Sequence, residues 1–404
     1  MYGLIGEKLG HSFSKIIHER LWAEDYSLLP MDREELDRFL RERKFDGVNV
    51  TIPYKRTVMP YCDAIDEKAR AIGCVNTLVN RDGRLTGYNT DFDGFAYCLR
   101  RAGITLAGKR VLVLGSGSTS LTVQAVARAQ KAADIAVVSR AGTLNYGNVY
   151  DLTDPQVVLN ATPVGMWPHV SGSPADLSRF PHLEAAADVV YNPLKTDLVL
   201  QAEELGLRTA GGLAMLVVQA VYAARLFCGR EFTDQETEDT IRFLERQRSN
   251  IVLIGMPGSG KTSVGRALAA LSGRELVDCD SEIVRRAGRS IPDIFAREGE
   301  AGFRRREAEV IAEAGGQGGR ILSTGGGAPL FPENRRSLRR SGRVYFLQRA
   351  LEKLPTEGRP LSRPGELEAL YAARLPAYAA CADVTIDNNG PLPETAKAIW
   401  EEFQ

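Results

Sequence analysis

N-I-V-L-I-G-M-P-G-S-G-K-T, residues Asn250 to Thr262, is the stretch from which the fold of this 404-residue chain is read. Ile251 to Ile254 form a short apolar run of the kind that makes a buried strand. The run enters Gly255 to Thr262, which fits G-x-x-x-x-G-K-[ST], and an amphipathic helix pattern follows through Val264, Leu268 and Leu271. Strand, glycine loop and helix together are the context of a phosphate-binding P-loop. The glycines let backbone N–H groups curl around phosphate oxygens, and the helix N-terminus adds partial positive charge. Gly258, Ser259 and Gly260 would line that cradle, Lys261 would reach the outer phosphates, and the Thr262 hydroxyl would ligate Mg²⁺. The motif lies past the midpoint of the chain, so a separate body of sequence precedes it.

Length and composition set the bounds. A chain of 404 residues, 44% hydrophobic and 25% charged, reads as two to three globular domains. Lys+Arg and Asp+Glu are both 51, so bulk charge gives no reason to expect a nucleic-acid or anionic-membrane partner. The six cysteines form no C-x-x-C pair and have no histidines at zinc spacing. Reduced thiols and a cytoplasmic location are the expectation. The N-terminus has no basic region followed by an apolar core, and no apolar run approaches the ~18 residues of a membrane span.

The first ninety residues alternate strands and helices. Tyr2 to Ile5 and Ser27 to Pro30 read as strands, and Glu34 to Glu42 has a helical period. G-H-S-F-S, residues 10–14, opens a helix through Ile16, Ile17 and Leu21, with Ser12 and Ser14 as candidate caps. Val48 to Ile52 reads as a strand ended by Pro53, which brings Thr51 and Lys55 to its C-terminal edge. That edge is where open α/β sheets bind ligands. Gly73 to Val79 is strand-like, and G-Y-N-T-D, residues 87–91, leads into a helix from Phe92. Singly, these signals carry little, since an isolated Lys is ordinarily solvated and an Asp before a helix is ordinarily a cap.

Arg110 to Leu114 is a strand that enters Gly115-Ser116-Gly117-Ser118-Thr119-Ser120 and then a helix through Val123, Val126 and Ala127. This is G-x-G-x-x-S, a dinucleotide fingerprint whose third small residue is Ser120. The next strand, Ile135 to Val138, ends in Ser139-Arg140, where an Arg in place of an acid suits the 2′-phosphate of NADP. Only 19 residues separate Arg140 from Asn160, short for a further helix–strand–helix set, so this nucleotide domain is expected to be trimmed.

In order, G-H-S-F-S, N-V-T-I-P-Y-K (residues 49–55), G-C-V-N-T (73–77) and N-T-D-F-D-G (89–94), placed before a dinucleotide fingerprint, resemble the shikimate dehydrogenase family. The stretches around Tyr191-Asn192-Pro193 and Gly211-Gly212-Leu213 resemble the family's late motifs. The resemblance covers residues 1 to about 247. It implies that Ser12 and Ser14 hold the substrate carboxylate and that Thr51, Asn76, Tyr191 and Gln219 complete a shikimate pocket. Lys55 and Asp91 flank the reacting oxygen, and which of them carries the proton is open at this stage. Gly115, Ser116, Gly117, Ser118, Thr119, Ser139, Arg140, Val189, Gly212 and Met215 would contact NADP(H). Ser139-Arg140-Ala141 stands where the family has an Asn-Arg-Thr type clamp.

After the P-loop come Asp278-Cys279-Asp280, G-E-A-G-F-R-R-R-E (299–307), S-T-G-G-G (323–327), G-R-P-L (358–361) and R-L-P-A-Y (374–378). From about residue 249 these resemble shikimate kinase. The resemblance implies that Arg304 and Arg374 bind a carboxylate and that Gly326 and Gly327 let the backbone approach the ring. It also implies that Asp280 orients or deprotonates the attacking hydroxyl, that Asp278 with Thr262 organises Mg²⁺, and that Arg359 covers the phosphates of ATP from a lid. Read without that resemblance, Arg304 to Arg306 with Glu307 and Glu309 would be a solvated helix face.

The expectation is therefore an all-α/β chain. A split substrate domain (1–92 and 213–247) embraces a Rossmann-like NADP domain (93–212). A P-loop kinase domain (249–404), with a parallel sheet and helices on both faces, follows without a Gly/Ser/Pro-rich linker. The implied activities are reduction of 3-dehydroshikimate and phosphorylation of shikimate, in a monomer or homodimer. The alternatives are a quinate-accepting dehydrogenase fused to a kinase, or a regulatory nucleotide-binding protein with a decayed first half.

Overall fold

The computed structural model describes residues 1–10, 12–23, 25–354 and 366–404. Arg359 and the rest of G-R-P-L therefore lie outside the described residues. The chain divides into two compact units. The first is Met1–Met166, Ser171–Tyr191 and Gln201–Leu244; the second is Trp167–Val170, Asn192–Leu200 and Glu245–Gln404. Among the described residues no helix is long and apolar enough to cross a membrane.

The first unit holds two sheets. One contains β1 (Tyr2–Gly6), β2 (Tyr26–Pro30), β3 (Gly47–Val50), β4 (Ala64–Ile65), β5 (Thr77–Arg81) and β6 (Arg84–Tyr88), in the order β2-β1-β3-β5-β6-β4. β1 runs parallel to β2 and β3, whereas β5 is antiparallel to β3 and β6. The other contains β7 (Arg110–Leu114), β8 (Asp134–Val138), β9 (Val157–Asn160), β10 (Ala185–Asp188) and β11 (Arg208–Ala210), all parallel, in the order β11-β10-β9-β7-β8. The strand order reverses at β7, so the dinucleotide loop leaves the sheet at its topological switch point.

The second unit has one parallel sheet of β12 (Asn250–Ile254), β13 (Leu276–Asp278), β14 (Ile321–Ser323), β15 (Gly342–Gln348) and β16 (Val384–Asp387), in the order β13-β14-β12-β15-β16. Burial on both faces explains its unbroken apolar runs. Val252 and Ile254 pack into one cluster with Val344 and Phe346, and Ile251 and Leu253 into the other with Tyr345 and Leu347. The period of two along each strand puts alternate residues on opposite faces. Buried Asn250 is satisfied, donating to Gln317 O at 2.8 Å and accepting from Arg320 N at 2.8 Å. Residues 192–200 belong to this unit through Arg340, whose guanidinium donates to Asp197 at 2.8 Å and whose carbonyl accepts Lys195 N at 2.8 Å.

Several element ends differ from the sequence reading. β3 stops at Val50, because the Thr51 N–H still bonds Ile5 O but the Thr51 carbonyl accepts Tyr54 N in a turn. Neither Ser12 nor Ser14 occupies the N-cap position of the first helix, although Ser12 Oγ accepts Ser14 N at 3.2 Å. Phe13 is its N-cap, with no side-chain bond, and Ser14 is its first residue. The helix expected from Phe92 begins at Asp91 and runs to Arg101. Asp280 lies in the first turn of helix Cys279–Ala287. Thr233 caps helix Asp234–Arg248, with Thr233 Oγ1 accepting Glu236 N at 3.1 Å and the Glu236 carboxylate accepting Thr233 N at 2.8 Å.

His18, on helix Ser14–Leu21, is fully buried and stacks on Tyr26 at 4.2 Å between centroids. Its Nδ1 accepts the Trp22 indole N–H at 3.1 Å. Burial pushes its pKa down to about 3, against a smaller upward pull from Asn49. A histidine held neutral in the fold but free to protonate when unfolded contributes stability that is complete above its ordinary pKa near 6.5. That stability is lost as pH falls toward 3. The first unit should lose about 1.4 kcal/mol per pH unit from this group between pH 6 and 5. Thermal unfolding of His18→Phe, which keeps the stacking, should lack that slope; an unchanged slope would contradict the assignment.

Candidate active sites

In the first unit, the turn after β3 carries Lys55, whose carbonyl is fixed by Val75 N at 2.8 Å. Its ammonium donates to Asp91 Oδ2 at 2.6 Å, and the two residues are only 9% and 6% exposed. Asp91 is the first residue of its helix, where a carboxylate is favoured by the helix dipole. Asn76, just before β5, holds the approach to that helix, accepting Thr90 N at 2.7 Å and donating to Thr90 Oγ1 at 3.0 Å and Gln219 Oε1 at 3.4 Å. Gln219 comes from the long apolar helix Leu213–Cys228 and anchors its own amide on Leu216 O at 2.8 Å. The two helices meet at Gly94, where a Cβ would lie 2.6 Å from Met215 O. Ser12 and Ser14 form a hydroxyl pair at 3.2 Å, and Phe13 between them packs edge-on against Tyr191 at 5.3 Å. Thr51 is half-buried at the exit of β3.

The dinucleotide loop divides its labour between two glycines. Gly115 has φ +105°, and a Cβ there would press on Thr162 at 2.9 Å, so it makes the turn. Gly117 has open space around it and is the N-cap of helix Ser118–Ala129, which has no side-chain cap. Exposed Ser116 and Gly117, with Ser118 and Thr119 opening the helix, leave backbone N–H groups turned outward, the donor set that a pyrophosphate takes. Ser120 is fully buried and fills the close-packing role of the third small residue. Ser139 and exposed Arg140 follow β8, and the Arg140 charge reaches Tyr146, where it opposes the upward push of burial on the phenol. The shortened connection after Arg140 holds a single one-turn helix, Val149–Leu152, and a turn tied by Asn148, which accepts Asn145 N at 2.8 Å and donates to Thr143 O at 2.9 Å. Gly212 lies against bare backbone, since a Cβ would be 2.2 Å from Val189 O, and buried Met215 is on the helix that follows. These residues fit a dinucleotide, with an arginine available for a 2′-phosphate.

In the second unit the P-loop winds through three glycines at positive φ, Gly255, Gly258 and Gly260. Lys261 Nζ donates to Gly255 O at 3.0 Å and Met256 O at 2.9 Å, which keeps the ammonium inside the loop. Ser259 Oγ is buried there with no hydrogen-bond partner among the described residues. Thr262 Oγ1 donates to Asp278 Oδ2 at 2.6 Å and lies 3.2 Å from Ser323 Oγ. Burial pushes the Asp278 carboxyl up, but bonds from Thr262, Ser281 and Ser323 outweigh it and hold the group below its ordinary range. These hard oxygen donors beside the loop suit Mg²⁺, which takes few protein ligands and completes its shell with water and phosphate.

The glycine loop Gly325–Gly327 faces the P-loop, with a Gly326 Cβ falling 2.7 Å from the Pro257 ring. A Gly325 Cβ would sit 2.8 Å from Glu307 Oε1 and 2.9 Å from Asp280 Oδ1, and a Gly327 Cβ 2.9 Å from the Arg304 guanidinium. Thus Asp280, Glu307 and Arg304 surround one backbone turn. Arg304 Nη1 donates to Glu307 Oε2 at 2.8 Å. Burial raises the Asp280 pKa, with help from Asp278 and against Lys261 and Arg304. Arg374, on helix Glu366–Cys381, has its Nε and Nη1 buried with no hydrogen-bond partner among the described residues, while Tyr378 one turn on donates to Gly326 O at 2.6 Å. Two arginines and a basic carboxylate beside a P-loop fit a small hydroxy acid as phosphoryl acceptor.

Residues 4–78 match the family model for the shikimate dehydrogenase substrate binding domain, and residues 257–404 that for shikimate kinase. The shikimate dehydrogenase (NADP(+)) of Clostridium perfringens is 35% identical over 262 residues, covering 60% of this chain and 96% of that protein. The chain belongs to the shikimate dehydrogenase family, with a shikimate kinase domain at its C-terminal end. Its dehydrogenase part is similar to a chorismate mutase/shikimate 5-dehydrogenase fusion from Clostridium acetobutylicum (TM-score 0.57, 34% identity, 60% of this chain and 96% of that one). It is also similar to a Thermus thermophilus shikimate 5-dehydrogenase in complex with NADP(H) and shikimate (TM-score 0.54, 30% identity, 60% and 98%).

Several residues of this dehydrogenase–kinase were not singled out from its sequence. Glu307, read there as part of a solvated face, is 1% exposed between Arg304 and Asp280. The i,i+3 spacing of Arg304 and Glu307 was the available signal. Asn160 and Asp188 end β9 and β10 and bond each other at 3.0 Å, which sets the backbone of Val189 and Val190. Asn388, from the end of β16, donates to Ser259 O, and Arg349 approaches Gly260 within 3.7 Å of a built Cβ; both close the outer side of the P-loop.

Proposed function

We propose that the two sites catalyse consecutive steps: NADPH-dependent reduction of 3-dehydroshikimate to shikimate, then ATP-dependent phosphorylation of the shikimate 3-hydroxyl. The observation that carries the reading is the buried Lys55–Asp91 pair, which joins a dinucleotide loop in the first unit as the Arg304–Arg374 pair joins a P-loop in the second. Bound NADPH supplies the hydride. Lys55 donates the proton to the oxygen that gains charge, and Asp91 keeps its ammonium aimed. Ser12, Ser14, Thr51, Asn76, Tyr191 and Gln219 hold the substrate, and Arg140 takes the 2′-phosphate. In the kinase, Arg304 and Arg374 clamp the carboxylate, and Asp280, made more basic by burial, accepts the hydroxyl proton. Lys261 stabilises the phosphates, and Mg²⁺ held by Thr262 and Asp278 neutralises charge on ATP. The proposed bodies are 1–92 with 213–247, 93–212, and 249–404.

Each half can be assayed alone. Shikimate with NADP⁺ should generate NADPH absorbance, and shikimate with MgATP should release ADP. Dependence of either signal on a different acid, with none on shikimate, would overturn the assignment for that half.

A further inference from the structure

Asn89 lies between β6 and the helix that begins at Asp91, and it is 3% exposed. Its Oδ1 accepts Phe92 N at 3.1 Å, closing the first turn of that helix. Its Nδ2 points the other way, donating to Cys74 O at 3.1 Å and lying 3.3 Å from Cys74 Sγ and 3.4 Å from Thr122 Oγ1. Cys74 Sγ in turn reaches Ser118 O at 3.6 Å and Thr122 Oγ1 at 3.8 Å. Ser118 opens the helix after the dinucleotide loop, and Thr122 is one turn further on. Cys74 and Thr122 are fully buried, so none of these groups has water as a substitute partner. One side chain is thereby bonded on one side to the turn that presents Asp91, and on the other to the helix that begins at the pyrophosphate site.

We propose that Asn89 is a positioning residue that couples occupancy of the dinucleotide loop to the substrate site, acting through the helix turn that carries Asp91. The inference rests on the dehydrogenase reading above. The bond from Lys55 to Asp91, at 2.6 Å, and that from Thr90 N to Asn76, at 2.7 Å, are short. The contact from Asn89 Nδ2 to Thr122 Oγ1, at 3.4 Å, is long for nitrogen and oxygen, whereas the Cys74 Sγ contacts, at 3.6 and 3.8 Å, are ordinary for sulfur. The slack in the relay therefore lies at Thr122, on the helix whose N-terminus a pyrophosphate would engage. A small advance of Thr122 tightens its bond to Asn89 Nδ2 and, through Asn89 Oδ1 and Phe92 N, reorients the first turn of the Asp91 helix. Coupling of this kind is reciprocal: a dinucleotide that favours shikimate must be favoured by it to the same degree.

The test uses the full chain and the unreactive pair shikimate plus NADPH, both already reduced. Calorimetric titration gives the NADPH Kd with and without saturating shikimate, a readout that shikimate bound in the kinase half does not enter. The wild type should show a change of about fivefold or more. Asn89→Asp keeps the acceptor for Phe92 N but turns a carboxylate toward the Cys74 carbonyl, and Thr122→Val removes only the distant hydroxyl. Both should bring the ratio to within about twofold of unity, with each ligand alone bound within about threefold of wild type. Thr122→Val keeps the test open if Asn89→Asp does not fold. An uncoupled wild type, or an undiminished ratio in Thr122→Val, would overturn the proposal. A loss of shikimate affinity alone with the ratio intact would also overturn it, since that is what a purely structural role gives. Failure of the wild type to bind shikimate and to oxidise it with NADP⁺ would refute the dehydrogenase reading itself.

Discussion

Replacing Lys55 by alanine should lower kcat for 3-dehydroshikimate reduction by about a hundred- to ten-thousandfold, the usual contribution of a positioned proton donor. The size of the effect follows from the pair's burial. Lys55 and Asp91 are 2.6 Å apart and almost wholly enclosed, so water has poor access to replace the ammonium, and the oxyanion is stabilised in a low-dielectric site. Removing Lys55 also strands the Asp91 carboxylate near the position of the carbonyl oxygen, where its charge opposes reduction. NADPH binding, measured by nucleotide fluorescence, should stay within about twofold, because no dinucleotide-loop residue bonds to the Lys55 side chain. A variant that retains a tenth or more of wild-type turnover would remove Lys55 from the chemistry.

Replacing Arg374 by alanine should raise the KM for shikimate in the kinase reaction about thirtyfold or more, with the KM for ATP within about twofold. Loss of one partner of a buried charge pair costs roughly 2–5 kcal/mol. Arg374 keeps Nε and Nη1 buried with no hydrogen-bond partner among the described residues, so its guanidinium retains donors that a substrate carboxylate would satisfy. Arg374→Lys should recover only part of the loss, since a compact ammonium cannot reproduce the planar guanidinium donor set. Arg304 is different: it is already paired with Glu307 and Glu300, so its truncation also frees a buried carboxylate beside Asp280. Equal rises in both KM values would place Arg374 in general packing rather than at the acceptor.

What the sequence made legible was what is fixed locally. The P-loop could be read because strand, glycines and helix are contiguous, and the order β7–loop–helix is legible for the same reason. Arg140 was visible because the end of β8 falls at a set distance from the dinucleotide loop. The burial of Glu307 was not visible, since it is created by Gly325, which follows 18 positions later on another element. Gly94 reads as a poor helix residue until the Met215 carbonyl is seen against it. The early end of β3 at Val50 depends on the turn at Thr51, which the apolar alternation through Ile52 conceals. Residues 167–170 and 192–200 join the second unit through Arg340 and Gly316, contacts that no local pattern announces.

The central claim is that one chain carries a molecule through both reactions. It is tested most directly by supplying purified protein with 3-dehydroshikimate, NADPH and MgATP and following NADPH absorbance and phosphoester together. The account predicts shikimate 3-phosphate in step with NADPH consumed, free shikimate when ATP is left out, and no phosphoester when NADPH is left out. NADPH oxidation that never leads to phosphorylated product, or phosphoryl transfer to 3-dehydroshikimate without prior reduction, would contradict it.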